Sequence, residues 1–183
     1  MLADRPDCAP PRPIVIVGFM AAGKTVVGRR LAARIGLPFL DTDREIEKVF
    51  GCSVAEIFAR HGEGGFRTVE RELVAGVLGG QPQVVSTGGG VFVDEQMRTS
   101  INASATSVWL DPPFELIIDR LGSSSERPLA TGTPVDALRR LWRERRQSYA
   151  EAHLHIQITD PRPDIAVERI VRDLSVQERL ARG

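Results

Sequence analysis

Short apolar runs alternate with longer segments of helical periodicity along the first part of this chain. Residues Ile14–Val17 contain no polar position, which is typical of a strand covered on both faces in a parallel sheet. From Lys24 the apolar residues recur at helical spacing, and Gly36 followed by Pro38 predicts the end of that helix. The next apolar pair predicts a short second strand that ends at Asp41. The pattern therefore predicts a strand, a helix and a strand in succession.

Residues 43–78 carry helical signals and no strand signal. Ser53 and Glu56 stand at the spacing of a helix capping box, and apolar residues then recur with a helical period. Three more short strands are predicted, each followed by a polar or glycine-rich segment: 84–86, 108–110 and 156–158. Strands that alternate with helices favour a doubly wound α/β fold with about five parallel strands.

Two segments stand apart from this alternation. Residues 1–13 contain four prolines, which build neither a strand ladder nor a helix, so we expect a flexible N-terminal lead-in. Residues 122–134 are rich in Ser, Gly, Thr and Pro and are too polar and too long for an ordinary connection, which predicts a mobile lid. The 183-residue length favours one domain, over residues 14–180.

Composition argues against several classes of function. The chain has 24 Lys and Arg residues against 24 Asp and Glu residues, so no bulk charge attracts nucleic acid or an anionic membrane. No apolar run is long enough to span a bilayer, and the first 13 residues lack an apolar signal core, so we expect a cytoplasmic protein. The two cysteines, Cys8 and Cys52, form no metal-binding or disulfide framework.

A phosphate-binding motif lies between the first strand and the first helix. Residues 18–25 satisfy the pattern GxxxxGK[ST] in the strand-to-helix context that it requires. Backbone N–H groups of such a loop can wrap phosphates, Lys24 can neutralise their charge, and the Thr25 hydroxyl can bind Mg²⁺. The alternative is a glycine-rich turn with an incidental lysine. It is disfavoured because both flanking elements fit and because Lys24 is one of only two lysines.

Two carboxylates, Asp41 and Asp43, follow the second predicted strand. Open α/β sheets bind ligands at the carboxyl ends of their strands, so we expect both acids to face a ligand crevice. One acid can lie near a metal ion while the other accepts a hydrogen bond from a substrate hydroxyl. The alternative is that Asp43 only caps the helix that begins at Arg44.

Further motifs follow these acids along the chain. In chain order they are Phe66 and Arg67, the triple glycine at 88–90, Arg-Pro-Leu at 127–129, and Arg145 four residues before Tyr149. With the phosphate motif, this order resembles the shikimate kinase family over residues 14–171. The resemblance implies a P-loop NTPase fold of three α/β/α layers, similar to nucleoside-monophosphate kinases, with strand order 2-3-1-4-5. It also implies a substrate-binding helical region at about 43–78 and a lid at about 122–134.

The resemblance implies ATP-dependent phosphorylation of the 3-hydroxyl of shikimate, with Mg²⁺, in chorismate and aromatic amino-acid biosynthesis. The implied shikimate contacts are Asp43, Arg67, Gly88, Gly89, Gly90 and Arg145. The implied nucleotide contacts are Gly18, Ala21, Ala22, Gly23, Lys24, Thr25, Val26, Arg127 and Arg162. The implied metal ligands are Thr25 and Asp41, and the implied catalytic residues are Lys24, Asp43 and Arg127.

Several of these residues also have a plainer interpretation. Arg145 lies in an arginine-rich helix, which is more often a solvated face. Arg67 could be an exposed partner of Glu63 or Glu70. The assignment of Arg162 to the nucleotide depends only on its position before the last helix. The three histidines lack metal-ligand spacing, and we expect surface or structural roles for them: His61, His153 and His155.

The chain departs from the family pattern at two positions. Ala21 stands where the family usually has glycine, and Ala130 stands where it usually has a large apolar residue. A Cβ at residue 21 costs about 1–2 kcal/mol if the loop needs a left-handed conformation there.

Two other functions stay open at this point. One is a kinase for another small polyol acid such as gluconate, and the other is a non-catalytic module that senses a carboxylate. The intact Lys24 and the paired Arg67 and Arg145 favour the shikimate kinase hypothesis over both. We expect small-molecule partners only, namely shikimate and ATP, and a monomer.

Overall fold

Five parallel strands form the central sheet of the structure, a computed structural model that describes residues 12–122 and 133–182. The strands are β1 (Ile14–Val17), β2 (Phe39–Asp41), β3 (Val84–Ser86), β4 (Thr106–Asp111) and β5 (Leu154–Gln157). Their order in the sheet is β2-β3-β1-β4-β5, and every neighbouring pair is parallel. The predicted fold class and strand order are therefore confirmed.

Helices cover both faces of this sheet. Those in the described part of the chain are α1 (Lys24–Ile35), α2 (Thr42–Phe50), α3 (Val54–Leu78), α4 (Glu95–Ser104), α5 (Phe114–Gly122), α6 (Val135–Tyr149) and α7 (Pro163–Arg182). None of the helices within residues 12–122 and 133–182 is long and apolar enough to cross a membrane.

The central strand β1 is buried on both faces, as its unbroken apolar sequence predicts. Ile14 and Ile16 pack in a cluster with residues of α1 and α7, whereas Val15 and Val17 pack in a second cluster with residues of α3 and α4. Alternate residues of one strand thus serve two separate cores, which is the arrangement of a three-layer α/β/α domain.

Helices α2 and α3 enclose a smaller apolar core of their own. Ile46, Ile57 and Phe66 form a third apolar cluster between α2 and α3. Ser53 and Glu56 form the predicted capping box at the start of α3. Gly62 interrupts α3 with φ 68° and ψ 178°, a conformation essentially confined to glycine, so residues 54–61 and 63–78 are two helical segments joined at a kink.

Three element boundaries differ from the predicted ones. Helix α2 begins at Thr42 and its N-cap is Asp41, whose side chain accepts from the backbone N–H of Arg44 at 3.4 Å. The alternative that Asp43 caps this helix is therefore wrong, because Asp43 lies inside the first turn. Strand β4 begins two residues earlier than predicted, and β5 covers 154–157 instead of 156–158. Buried and exposed residues alternate along β5, so the start of this strand has no continuous apolar run in the sequence.

The carboxyl ends of three adjacent strands meet at one edge of the sheet. The loop 18–23 follows β1, Asp41 ends β2, and the glycine-rich segment 87–90 follows β3. Strand order therefore brings together the three sequence motifs that were predicted to carry function.

Candidate active site

The loop between β1 and α1 has the shape of a phosphate cradle. Gly18, Ala21 and Gly23 have positive φ angles of 140°, 58° and 96°. A Cβ on Gly18 would lie 2.6 Å from the carbonyl oxygen of Leu110, so only glycine fits there. Within the described residues, no side chain caps the N-terminus of α1 and its first turn has no acid. Its backbone N–H groups can therefore bind an anion.

Lys24 places a buried ammonium group over this loop. Its Nζ donates to the carbonyl oxygens of Gly18 at 3.0 Å and Phe19 at 2.8 Å. These bonds satisfy a charge that is only 7% exposed and keep it beside the N-terminus of α1. A phosphate in the cradle would meet both the ammonium and the backbone donors.

Thr25 and Asp41 bring two oxygen ligands together beside the cradle. The Thr25 hydroxyl donates to Asp41 Oδ2 at 2.7 Å, which links the first turn of α1 to the end of β2. Hydroxyl and carboxylate oxygens suit Mg²⁺, which usually takes its other ligands from phosphate and water. Residues 12–122 and 133–182 contain no group of three or more His, Cys, Asp or Glu side chains able to hold a metal ion.

Arg67 and Glu70 form a partly buried ion pair on α3. Arg67 Nη1 donates to Glu70 Oε2, and Arg67 Nε and Nη2 both donate to Glu63 Oε1 at 3.3 Å. Burial raises the pKa of Glu70, and the nearby Asp43 raises it further, against the opposing effect of Arg67. Burial alone would lower the pKa of Arg67, but Glu70 and then Glu63 outweigh it and the pKa is raised. The pair therefore keeps Arg67 charged and oriented.

The triple glycine after β3 lies directly against these charged groups. A Cβ on Gly88 would collide with Glu70 and would lie 3.0 Å from Asp43 Oδ1. A Cβ on Gly90 would collide with the guanidinium of Arg67. The lack of side chains at 88–90 is therefore what lets two acids and an arginine approach the backbone of one loop.

Helix α6 places a second arginine, Arg145, beside the triple glycine. Tyr149 donates its hydroxyl to the carbonyl oxygen of Gly89 at 2.6 Å, and its burial raises its pKa to about 12, so this donor keeps its proton at neutral pH. Arg145 lies one helical turn before Tyr149 and on the same face. Its Nη1 is 3.4 Å from the Cβ position of Gly89, and its guanidinium lies over the ring of Phe19.

A cavity opens on the other side of the phosphate cradle. Its lining residues are Ala22, Gly23, Val26, Val27, Arg120, Ile158, Asp160, Pro161, Arg162, Pro163 and Ala166. Arg120 Nη1 donates to the carbonyl oxygen of Ala21 at 3.0 Å, and burial lowers its pKa. Arg162 borders the cavity with its guanidinium paired to Asp160 at 2.6 Å. The lining of the cavity is mostly apolar, and its charged members are Arg120 and the Arg162–Asp160 ion pair.

Comparison with known proteins decides the family. The family model for shikimate kinase matches residues 20–175. This chain belongs to the shikimate kinase family. A shikimate kinase of Paramagnetospirillum magneticum is 46% identical over 164 residues, which cover 89% of this chain and 84% of that protein. One of Caulobacter vibrioides is 46% identical over 171 residues, 92% and 86% of the two chains. The solved structure of a shikimate kinase from Acinetobacter baumannii in complex with shikimate has a TM-score of 0.86 at 33% identity, and the match covers 92% of this chain and 96% of that one.

The structure brings most of the predicted site residues of this shikimate kinase family member together. Asp43, Arg67 and Arg145 surround the glycines at 88–90, while Lys24 and Thr25 lie in the cradle next to them. Arg162 lies apart, across the cavity beside the cradle. Arg127, Ala130 and most of the predicted lid at 122–134 lie outside the described residues. The functional roles of these residues stay predictions.

Ala21, the position expected to depart from the family pattern, has an unusual backbone conformation. Ala21 is the one non-glycine residue with a positive φ within the described residues. Ala21 therefore has a left-handed conformation that glycine would adopt without strain, and its Cβ makes that conformation unfavourable.

Two residues of the site were not found from the sequence. Glu70 was considered only as a partner in an exposed ion pair, yet it is 1% exposed and its Oε1 has no hydrogen-bond partner among the described residues. Arg120 had no motif around it. Its position near the end of α5, just before the predicted lid, was the only signal, and its contact with Ala21 spans 99 residues of sequence.

The histidines in β5 and just before it have the structural surroundings that were expected. His153 Nδ1 accepts from the backbone N–H of Ser107 at 3.2 Å. His155 stacks on Trp109 with ring centroids 4.0 Å apart and its Nε2 is 2.8 Å from Asp111 Oδ2. The expectation of a solvated arginine face on α6 was too broad, because Arg146 also turns inward, onto Asp111.

Proposed function

We propose that this chain transfers the γ-phosphoryl group of ATP to the 3-hydroxyl of shikimate, giving shikimate 3-phosphate and ADP. The observation that carries this proposal is how closely the triple glycine approaches the phosphate cradle. A Cβ built on Gly89 would lie 3.4 Å from the carbonyl oxygen of Gly18 and 3.6 Å from the backbone nitrogen of Met20. A ligand held by Arg67 and Arg145 would therefore lie next to a phosphate held in the cradle, as direct transfer requires.

Two arginines and one acid would recognise the acceptor. Guanidinium groups bind planar carboxylates through parallel N–H bonds, so Arg67 and Arg145 would hold the carboxylate of shikimate. Asp43 would accept hydrogen bonds from ring hydroxyls, and the bare backbone at 88–90 would let the ring approach closely. The solved shikimate kinase from Acinetobacter baumannii was determined in complex with shikimate, which supports this choice of acceptor.

The transfer needs no covalent enzyme intermediate. The acceptor oxygen forms its bond to the γ-phosphorus as the bond from that phosphorus to the β-phosphate oxygen breaks. Asp43 would orient the hydroxyl and accept its proton, and Lys24 with the α1 N–H groups would stabilise the charge on the phosphate oxygens. We assign Arg127 a further charge-stabilising role, on the family pattern alone.

The cation and the nucleotide base would occupy the two sides of the cradle. Thr25 and Asp41 would hold Mg²⁺, which supplies positive charge to the phosphate oxygens when it is bound. The apolar cavity bordered by Arg120 and Arg162 has the composition expected of an adenine site. The domain limits at 14–180, a monomeric state and a cytoplasmic location stay predictions.

An ADP-release assay with four acceptor conditions tests this proposal. The chain would be supplied with ATP and Mg²⁺, and with shikimate, gluconate, quinate or no acceptor. We expect rapid turnover with shikimate and rates near the no-acceptor background with the other two. Faster turnover with gluconate would favour a polyol-acid kinase. Shikimate binding by calorimetry without any turnover would favour a sensing module.

A further inference from the structure

Glu63 occupies an edge of Arg67 that a substrate carboxylate could use. Arg67 Nε and Nη2, which point their N–H groups in parallel, both donate to Glu63 Oε1 at 3.3 Å. This pair of donors is one of the two guanidinium edges that bind carboxylates bidentately. The remaining partner, Glu70, accepts from Nη1.

The two acids hold Arg67 with unequal strength. The Glu70 side chain is only 2% exposed, and it cannot move away from Arg67 without leaving a buried charge unpaired. Glu63 is 68% exposed, and its two 3.3 Å bonds are longer than the 2.7–2.9 Å that is usual for charged pairs. Glu70 is therefore the permanent partner and Glu63 the exchangeable one.

The backbone around Glu63 also favours exchange. Glu63 follows the kink at Gly62 and begins the second segment of α3, and it is followed by two more glycines. Apart from the adjoining backbone, no heavy atom of the described residues lies within 4 Å of the point where a Cβ on Gly62 or Gly64 would lie, so this turn is open on that side. Glu63 can withdraw without displacing a packed neighbour at either glycine.

We propose that Glu63 occupies Arg67 in the substrate-free protein and is displaced by the carboxylate of the acceptor, so that Glu63 is a specificity-determining residue that sets acceptor affinity. This inference rests on the proposed function, in which Arg67 binds that carboxylate. A negative charge at 63 competes for the same N–H donors and repels an incoming anion. Its removal should therefore strengthen binding of the acceptor, the reverse of what loss of a binding residue would do.

Steady-state kinetics and calorimetry of Glu63→Gln test this inference. The KM and Kd for shikimate should fall about two- to fivefold, the range that corresponds to an exposed ion pair, with kcat and the KM for ATP unchanged. The gain should shrink at high salt because exposed charges are screened. Glu63→Ala should behave in the same way. Glu72→Gln is the matched control, since Glu72 is exposed on the same helix and faces away from Glu70, and it should leave all constants unchanged.

An Arg67→Lys background separates the two levels of the inference. If Arg67→Lys alone leaves the shikimate KM unchanged, the proposed role of Arg67 is wrong. If it raises that KM but Glu63→Gln in the natural background does not lower it, the role of Glu63 is wrong and that of Arg67 stands. In the double variant, Glu63→Gln should lose the part of its benefit that comes from releasing the bidentate edge, because lysine has no such edge. Only the smaller, salt-sensitive part that comes from removing a repelling charge should remain.

Discussion

Ala21 offers a direct measurement of the strain in the phosphate cradle. It has φ 58° in the loop between β1 and α1. Replacing it with glycine removes the clash between Cβ and the backbone, and the same replacement at the neighbouring Ala22 removes a buried methyl from unstrained backbone. Ala22 is 2% exposed and does not have a positive φ. The two variants make one chemical change with opposite expected signs.

The magnitudes follow from three contributions. Relief of the left-handed conformation at residue 21 is worth about 1–2 kcal/mol. The added freedom of the unfolded chain costs about 0.4–1 kcal/mol in either variant. Loss of the methyl costs up to about 0.8 kcal/mol at the buried Ala22 and about half of that at the half-buried Ala21. Ala21→Gly should therefore gain about 0.5 kcal/mol in free energy of unfolding, and Ala22→Gly should lose about 1.5 kcal/mol.

The difference between the variants is the sharper quantity, because the unfolded-state contribution is the same in both and cancels. A difference of about 2 kcal/mol corresponds to about 4–8 °C in Tm for a chain of this length. Scanning calorimetry without ligand, with urea titration as a second measurement, would resolve it. If Ala21→Gly lowers Tm as much as Ala22→Gly does, the positive φ at residue 21 is not a source of strain.

Three further outcomes are expected. Lys24→Ala should lower turnover at least about a thousandfold with the far-UV circular dichroism unchanged, and near-normal turnover in the folded variant would contradict the kinase mechanism. Arg145→Lys keeps the charge but loses the guanidinium fork, so the KM for shikimate should rise about tenfold. The exposed control Arg143→Lys should leave that KM unchanged. A shift in the KM for ATP alone would refute the assignment of Arg145 to shikimate. Burial, and to a lesser extent Arg12, lower the pKa of His153 from 6.5. The folded protein thus binds that proton less readily than the unfolded chain, so stability is full above about pH 6.5 and declines below it. The urea midpoint between pH 8 and 5 should fall less in His153→Asn than in the natural protein, and equal slopes would exclude His153 as the cause.

Features that depend on consecutive residues could be predicted from the sequence. The cradle needs Gly18, Lys24 and Thr25 within eight positions between a strand and a helix, and the structure has them there. The capping box at Ser53 is likewise local. The all-apolar β1 indicated burial on both faces because a strand has only two faces to cover. For such features the chain itself supplies the geometry.

The candidate site as a whole depends on contacts between distant residues. Tyr149 reaches Gly89 across 60 positions and Arg120 reaches Ala21 across 99. Glu70 has a raised pKa because the fold buries it against Gly88 and places Asp43 nearby. Residue types and spacing identified Arg67 and Arg145 as candidates through a family resemblance, but burial and partner choice are properties of packing. The sequence alone therefore determined which chemical groups this protein has, whereas the tertiary structure decided which of them are desolvated and paired, because desolvation and Coulombic interaction depend on distance in space and not on separation along the chain.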